Sequence, residues 1–160
     1  MPTTNPRESF DRHQKELLDE VLVLGSMVEQ AIQQSVEALK NRDKGQAQKV
    51  INTDASIDAL ELLIDMRCID LIARFQPMAS DLRFLATGMK INLELERIAD
   101  LAVDIAQRVI DLVDKPLLKP LIDIPKLSRT AQNMVHDSIN SFVNKDVELA
   151  KRVVVTDVEA

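Results

Sequence analysis

The sequence predicts an all-α protein: an up-down-up three-helix bundle followed by a partial second copy of the same bundle. Three observations carry this. The 160 residues are 46% hydrophobic but only 2% aromatic, with three Gly and no Trp or Tyr. Leu, Ile, Val, Ala and Met supply nearly all the apolar surface, whereas sheets draw on aromatic residues and Gly-rich turns. Apolar residues recur at helical spacing over long stretches with few breaks. Finally, part of the pattern returns at a fixed offset further along the chain.

The first helix is read from Phe10 to Lys40, with Leu17, Val21, Leu24, Val28, Ile32, Val36 and Leu39 on one stripe. Asn41-Arg42-Asp43 breaks it, and Asp43 can cap a second helix. That helix runs to about Phe75, where Pro77 interrupts it by lacking an N–H and restricting its predecessor. Ser80 or Asp81 can cap a third helix, which continues to about Asp114. Lys115-Pro116 and Lys119-Pro120 mark a linker. A fourth helix begins near Pro125, an acceptable first-turn proline. Asn144-Lys145-Asp146 ends it, and a fifth follows. Three long helices joined by short turns pack antiparallel.

Asn41-Arg42-Asp43 corresponds to Asn144-Lys145-Asp146, and the stretch Ala47–Asp54 to Ala150–Asp157, at a constant offset of 103. Ile32, Val36 and Leu39 fall on Val135, Ile139 and Phe142. The expected organisation is therefore a first bundle over 1–115, a linker over 116–123 and an incomplete second repeat over 124–160. A half bundle leaves an apolar face open. The first bundle, a second chain or further residues of a longer two-repeat protein could cover it, and truncation is the preferred explanation.

The net charge of −6 and the scarcity of aromatics argue against nucleic-acid binding, which needs cationic neutralisation and stacking platforms. The single cysteine, Cys68, sits in an apolar setting and reads as a buried thiol of a reducing compartment. The N-terminal residues carry no signal-peptide apolar core. No apolar run approaches the ~20 residues of a membrane span. A cytoplasmic location is expected, with membrane contact only through partners.

Acidic residues form the one pattern with chemical content. Asp54, Asp58, Glu61 and Asp65 share a face of the second helix, and Glu96, Asp100 and Asp104 a face of the third. Glu96 is in register with Leu82, Leu85, Met89 and Leu93, a stripe expected to face a neighbouring helix. Antiparallel pairing about the Pro77 turn sets Asp58 at the level of Glu96 and Asp54 at that of Asp100. Such acids can be neutralised by Arg97 or Lys90, share protons at raised pKa, or bind a hard cation through oxygen. Solvated surface acids are the ordinary alternative. A ferritin-like di-metal site expects Glu-x-x-His motifs, and only His13 and His136 are present. His136 could also serve as a phosphotransfer histidine, although nothing around it forms a phosphoryl site.

Two segments resemble the PhoU family. Arg74-Phe75-Gln76-Pro77-Met78-Ala79-Ser80-Asp81-Leu82-Arg83 is like its R-x-Q-P-x-A-x-D-L-R turn, and Leu95-Glu96-Arg97-Ile98-Ala99-Asp100 like its L-E-R-I-G-D signature. Met27-Val28-Glu29 adds support. The resemblance implies two tandem three-helix bundles and a non-enzymatic negative regulator of phosphate uptake and phosphate-starvation signalling. It also implies partners, a phosphate ABC transporter ATPase subunit and a sensor histidine kinase, while the uncovered half bundle makes a homodimer the expected assembly. Metal ions are implied as cofactors, multinuclear iron or another hard divalent cation such as Mg or Mn. Glu96 and Asp100 match the metal-binding E-x-x-x-D motif and Asp54 an acid of the second helix, with Asp58 and Asp104 completing the candidate set. Arg83 and Arg97 are the expected partner contacts. Two departures limit this. Ala99 replaces the usual Gly, and of the second site only Asp157 is present, so one complete site is expected.

Overall fold

The computed structural model describes residues 5–116 and 120–159, except the side chains of residues 158 and 159. Lys119 of the expected linker and the residues before Asn5 lie outside that range. Helix α1 spans Pro6–Asn41, α2 Lys44–Phe75, α3 Ser80–Leu112, α4 Asp123–Asn144 and α5 Val147–Glu159.

Local chemistry sets the helix ends. The Asn5 side chain accepts a hydrogen bond from the Arg7 N–H at 3.0 Å, and Pro6 opens α1 with its φ already helical. The helix therefore begins four residues before Phe10. Asp43 caps α2 as expected, accepting from the Gln46 N–H at 3.0 Å. The expected cap of α3 is corrected. Ser80 is the first helical residue, Ala79 is the cap residue with φ of 50°, and no side chain closes that end. Asp81 instead meets the Arg7 guanidinium, tying the α2–α3 turn to the start of α1.

α1, α2 and α3 pack against one another as the up-down-up bundle. Leu24 and Val28 of α1 meet Ile57 and Ile64 of α2 and Leu85, Leu95 and Val109 of α3 in one buried cluster. Ala99, Ala102 and Ala106 are all buried, and their small side chains let α3 lie close to its neighbours. Cys68 is fully buried, and desolvation pushes its thiol up to about 11. The three bundle helices also meet at their ends, where Arg42 donates to the carbonyls of Val113 and Lys115.

α4 lies against α1, and α5 against α4. The α1–α4 crossing is close: a Cβ on Gly25 would stand 2.1 Å from Ile139 Cδ1. Phe142 stacks on Phe84 of α3 with centroids 4.5 Å apart.

The two turns at the offset of 103 share their local geometry. Arg42 and Lys145 both take left-handed φ, 57° and 55°. Asp43 N–H reaches Ala38 O at 2.9 Å, and Asp146 N–H reaches Ser141 O at 2.8 Å. Asp146 accepts from Leu149 N–H at 2.9 Å, as Asp43 does from Gln46. Thr53 and Thr156 each donate to the carbonyl four residues back. Between α3 and α4 lies an apolar groove of about 630 Å³, lined by Ile91, Leu95 and Ile98 on one side and Leu127 and Met134 on the other, with Asp157 of α5 at its edge.

Candidate functional site

α2 and α3 run antiparallel, and Asn92 fixes their register. Its side chain is wholly buried and donates to the Glu61 carbonyl at 2.9 Å and to the Glu61 carboxylate at 3.2 Å. From that level each step along α2 is matched by a step back along α3. Asp58 and Glu96 therefore face each other, and so do Asp54 and Asp100.

The electrostatics reflect this. Burial pushes the Asp54 carboxyl up, reinforced by the charges of Asp58 and Asp100. Glu96 is raised by burial and then by Asp100, Asp58 and Asp54, with Arg97 opposing. Glu61 is raised by burial and by Asp65, Glu96 and Asp58. The six carboxylates named here form one mutually repelling band across the α2–α3 seam. Asp104 is exposed one turn beyond Asp100 and contributes to none of these shifts. Asp54 Oδ1 is buried with no hydrogen-bond partner. Among the described residues, no three acid, imidazole or thiol groups converge on a point as one ion would require. The oxygen-only donor set and the orphaned Asp54 oxygen suit a hard cation, but the side chains stand apart along the seam.

Nearby cations do little to neutralise this band. Arg97 pairs with Glu94 at 3.1 Å on its own helix. Arg67 reaches across to Glu20 at 2.8 Å. Lys90 lines the groove on the α4 side. Arg83 is exposed at the start of α3, and Asp81, its nearest acid in sequence, is held by Arg7. Both histidines lie away from the seam: His13 Nδ1 is 2.6 Å from Ser9 O, and His136 pairs with Glu29 at 3.2 Å.

The structure corrects a further sequence reading. Glu96 and its stripe were expected to face a neighbouring helix, yet Leu82 and Leu93 are exposed while Leu85 is buried. The row straddles the seam, its apolar members partly in solvent. Asn92, which sets the register, was not singled out. A polar residue one helical turn before Glu96 was the available signal.

The five helices of the described residues, in a carboxylate-seamed bundle with a repeated helix–turn–helix, place the chain in the class of repeated all-α bundles. The chain belongs to the PhoU family, whose domain profile matches residues 8–109 and again 124–160. It is 41% identical over 143 residues to the phosphate-specific transport system accessory protein PhoU homolog of Aquifex aeolicus, covering 89% of this chain and 65% of that protein. It is 32% identical over 144 residues to the Escherichia coli phosphate-specific transport system accessory protein PhoU, covering 90% and 60%. This chain thus spans less than two thirds of either relative. The crystal structure of PhoU from Pseudomonas aeruginosa superposes with a TM-score of 0.89 at 32% identity, over 94% of this chain and 72% of that one.

Proposed function

We propose that the chain acts as a non-catalytic accessory regulator of phosphate transport. The observation that carries this is family membership along nearly the whole chain, from relatives named as phosphate-specific transport accessory proteins. Its finer role is to restrain phosphate uptake and starvation signalling, as a cytoplasmic homodimer between the transporter's ATPase subunit and a sensor histidine kinase. Arg83, and Arg97 once released from its solvent-exposed pair with Glu94, are the cations offered to those partners. No helix among the described residues is long and apolar enough to cross a membrane. Deleting the gene should derepress phosphate-starvation genes in plentiful phosphate, and unchanged expression refutes the reading.

The carboxylate seam is proposed to hold iron, or Mg or Mn, with Glu96, Asp100, Asp54 and Asp58 as ligands and Asp104 at the margin. Support comes from the mutual repulsion of these groups and the unpartnered Asp54 oxygen. A cation there would remove the repulsion and draw the two helices together. Elemental analysis of protein purified without chelator, beside a Glu96→Ala/Asp100→Ala variant, tests this; equal metal content in both removes the site.

A further inference from the structure

α2 carries two apolar faces. Ile57, Ile64, Cys68 and Leu71 point into the bundle and are buried. On the opposite side Ala55, Ala59, Leu62, Met66, Ile69 and Ala73 alternate at spacings of four and three and are all exposed. That spacing is the a/d seam of a coiled coil, sustained over about 27 Å at the helical rise. Leu62, Met66 and Ile69 are 59%, 60% and 54% exposed, and Leu93 of α3, near the level of Leu62, is 50% exposed. One core accounts for one face of a helix; a second regular apolar seam needs a partner of its own. Among the described residues, α2 packs only on α1 and α3.

The charges beside the seam identify the partner. Asp58 and Asp65 occupy the flanking positions on the α3 side, backed by Glu96 and Asp100, while on the other side Asp70 is paired with Arg74. The nearest arginines are already engaged, Arg67 by Glu20, Arg74 by Asp70 and Arg97 by Glu94. We infer that the outer seam of α2 is a docking surface for an amphipathic helix whose apolar stripe is bordered by Lys or Arg. Such a helix lays its stripe on Leu62, Met66 and Ile69 and answers the carboxylates with its flanks. A second copy of this chain fits poorly, because it brings the same acid-flanked seam and no free basic flank to answer it. An anionic membrane is repelled by the same acids. The inference stands independently of the phosphate reading.

The test uses the whole chain and designed peptides of about three heptads, Leu at a and d, with either Lys or Glu at e and g. Fluorescence anisotropy should show the Lys-flanked peptide binding at least about tenfold tighter than the Glu-flanked one. A Leu62→Ser/Ile69→Ser variant keeps every acid and alters only exposed residues, so its melting temperature should hold while affinity falls about tenfold or more. Leu127→Ser, in the α3–α4 groove, should leave binding unchanged. Undiminished binding to the double variant, or loss of binding in Leu127→Ser, overturns the proposal. So does either of two results that require the same seam residues: dimerisation in sedimentation velocity, which assigns the seam to a second copy, or co-sedimentation with phosphatidylglycerol vesicles, which assigns it to a membrane.

Discussion

Replacing Glu96 with glutamine removes one charge from the seam while keeping the side chain's shape. Glu96 faces three repulsions, from Asp100 one turn along its own helix and from Asp58 and Asp54 across the seam, against one attraction from Arg97. Like charges one helical turn apart cost roughly 0.2–0.5 kcal/mol, and partly exposed charges facing each other from neighbouring helices interact by a similar amount. Three of them, less the opposing arginine and solvent screening, leave about 0.5–1 kcal/mol. For a chain of this size that is a rise in Tm of roughly 1–4 °C for Glu96→Gln in chelator at neutral pH and low salt. The pH dependence follows from the sign of the shift. A carboxyl whose pKa is raised on folding stabilises the native state below its unfolded pKa, and that contribution is lost as pH rises through the folded value. Wild type and variant should therefore converge near pH 4 and separate toward pH 7, and added salt should shrink the gap. Thermal melts by circular dichroism at both pH values decide it. A variant less stable than wild type at pH 7 in chelator would refute the repulsive seam and mean that Glu96 is stabilised by its neighbours.

Other perturbations probe the frame. Ile139→Ala removes the side chain that lies over Gly25 and should cost about 2–4 kcal/mol in chemical denaturation; a loss under 1 kcal/mol would mean that α4 docks only loosely on α1. Asp43→Ala should cost about 0.5–2 kcal/mol through the lost cap, and the equivalent Asp146→Ala should increase hydrogen exchange at the start of α5. Cys68 is fully buried with its thiol raised to about 11, so a thiol reagent should modify it only in denaturant; rapid labelling of native protein contradicts the packing. If the seam binds metal, millimolar Mg or Mn should raise the wild-type Tm by mass action and leave Glu96→Ala/Asp100→Ala almost unmoved.

The residues show why some of this was legible in sequence and some was not. Helix ends are local events, so Asp43 and the repeated Asn-x-Asp turns announced themselves. The cap that starts α1 did not, because Asn5 precedes the apolar stripe by several residues. The α3 start was misassigned because Ser80 and Asp81 both have capping side chains, whereas closure of the turn fell to Arg7, distant in sequence. The facing acids were legible because the turn position already implies the antiparallel register that the buried Asn92 then holds. Their separation along the seam was not, since side-chain direction within a level depends on packing.

The orientation of α2 and α3 was the harder problem. Periodicity groups residues onto faces but does not say which face turns inward. On α2 both the Ile57–Leu71 row and the Ala55–Ala73 row are apolar, and the first is buried only because it meets α1 and α3. On α3 the row from Leu82 to Glu96 lies at the boundary between faces, so its leucines divide between core and solvent. The same boundary joins the apolar end of the seam, near the α2–α3 turn, to its acidic middle. A cation held at Asp54, Asp58, Glu96 and Asp100 would neutralise part of the charge that a basic helix on Leu62 and Ile69 would otherwise meet. Metal occupancy and helix docking are then linked through shared carboxylates, and by linkage each must weaken the other. Lys-flanked peptide affinity should accordingly fall when Mn is added to wild type, and stay constant in Glu96→Ala/Asp100→Ala. Affinity that rises with Mn in wild type would show instead that the metal orders the seam for docking.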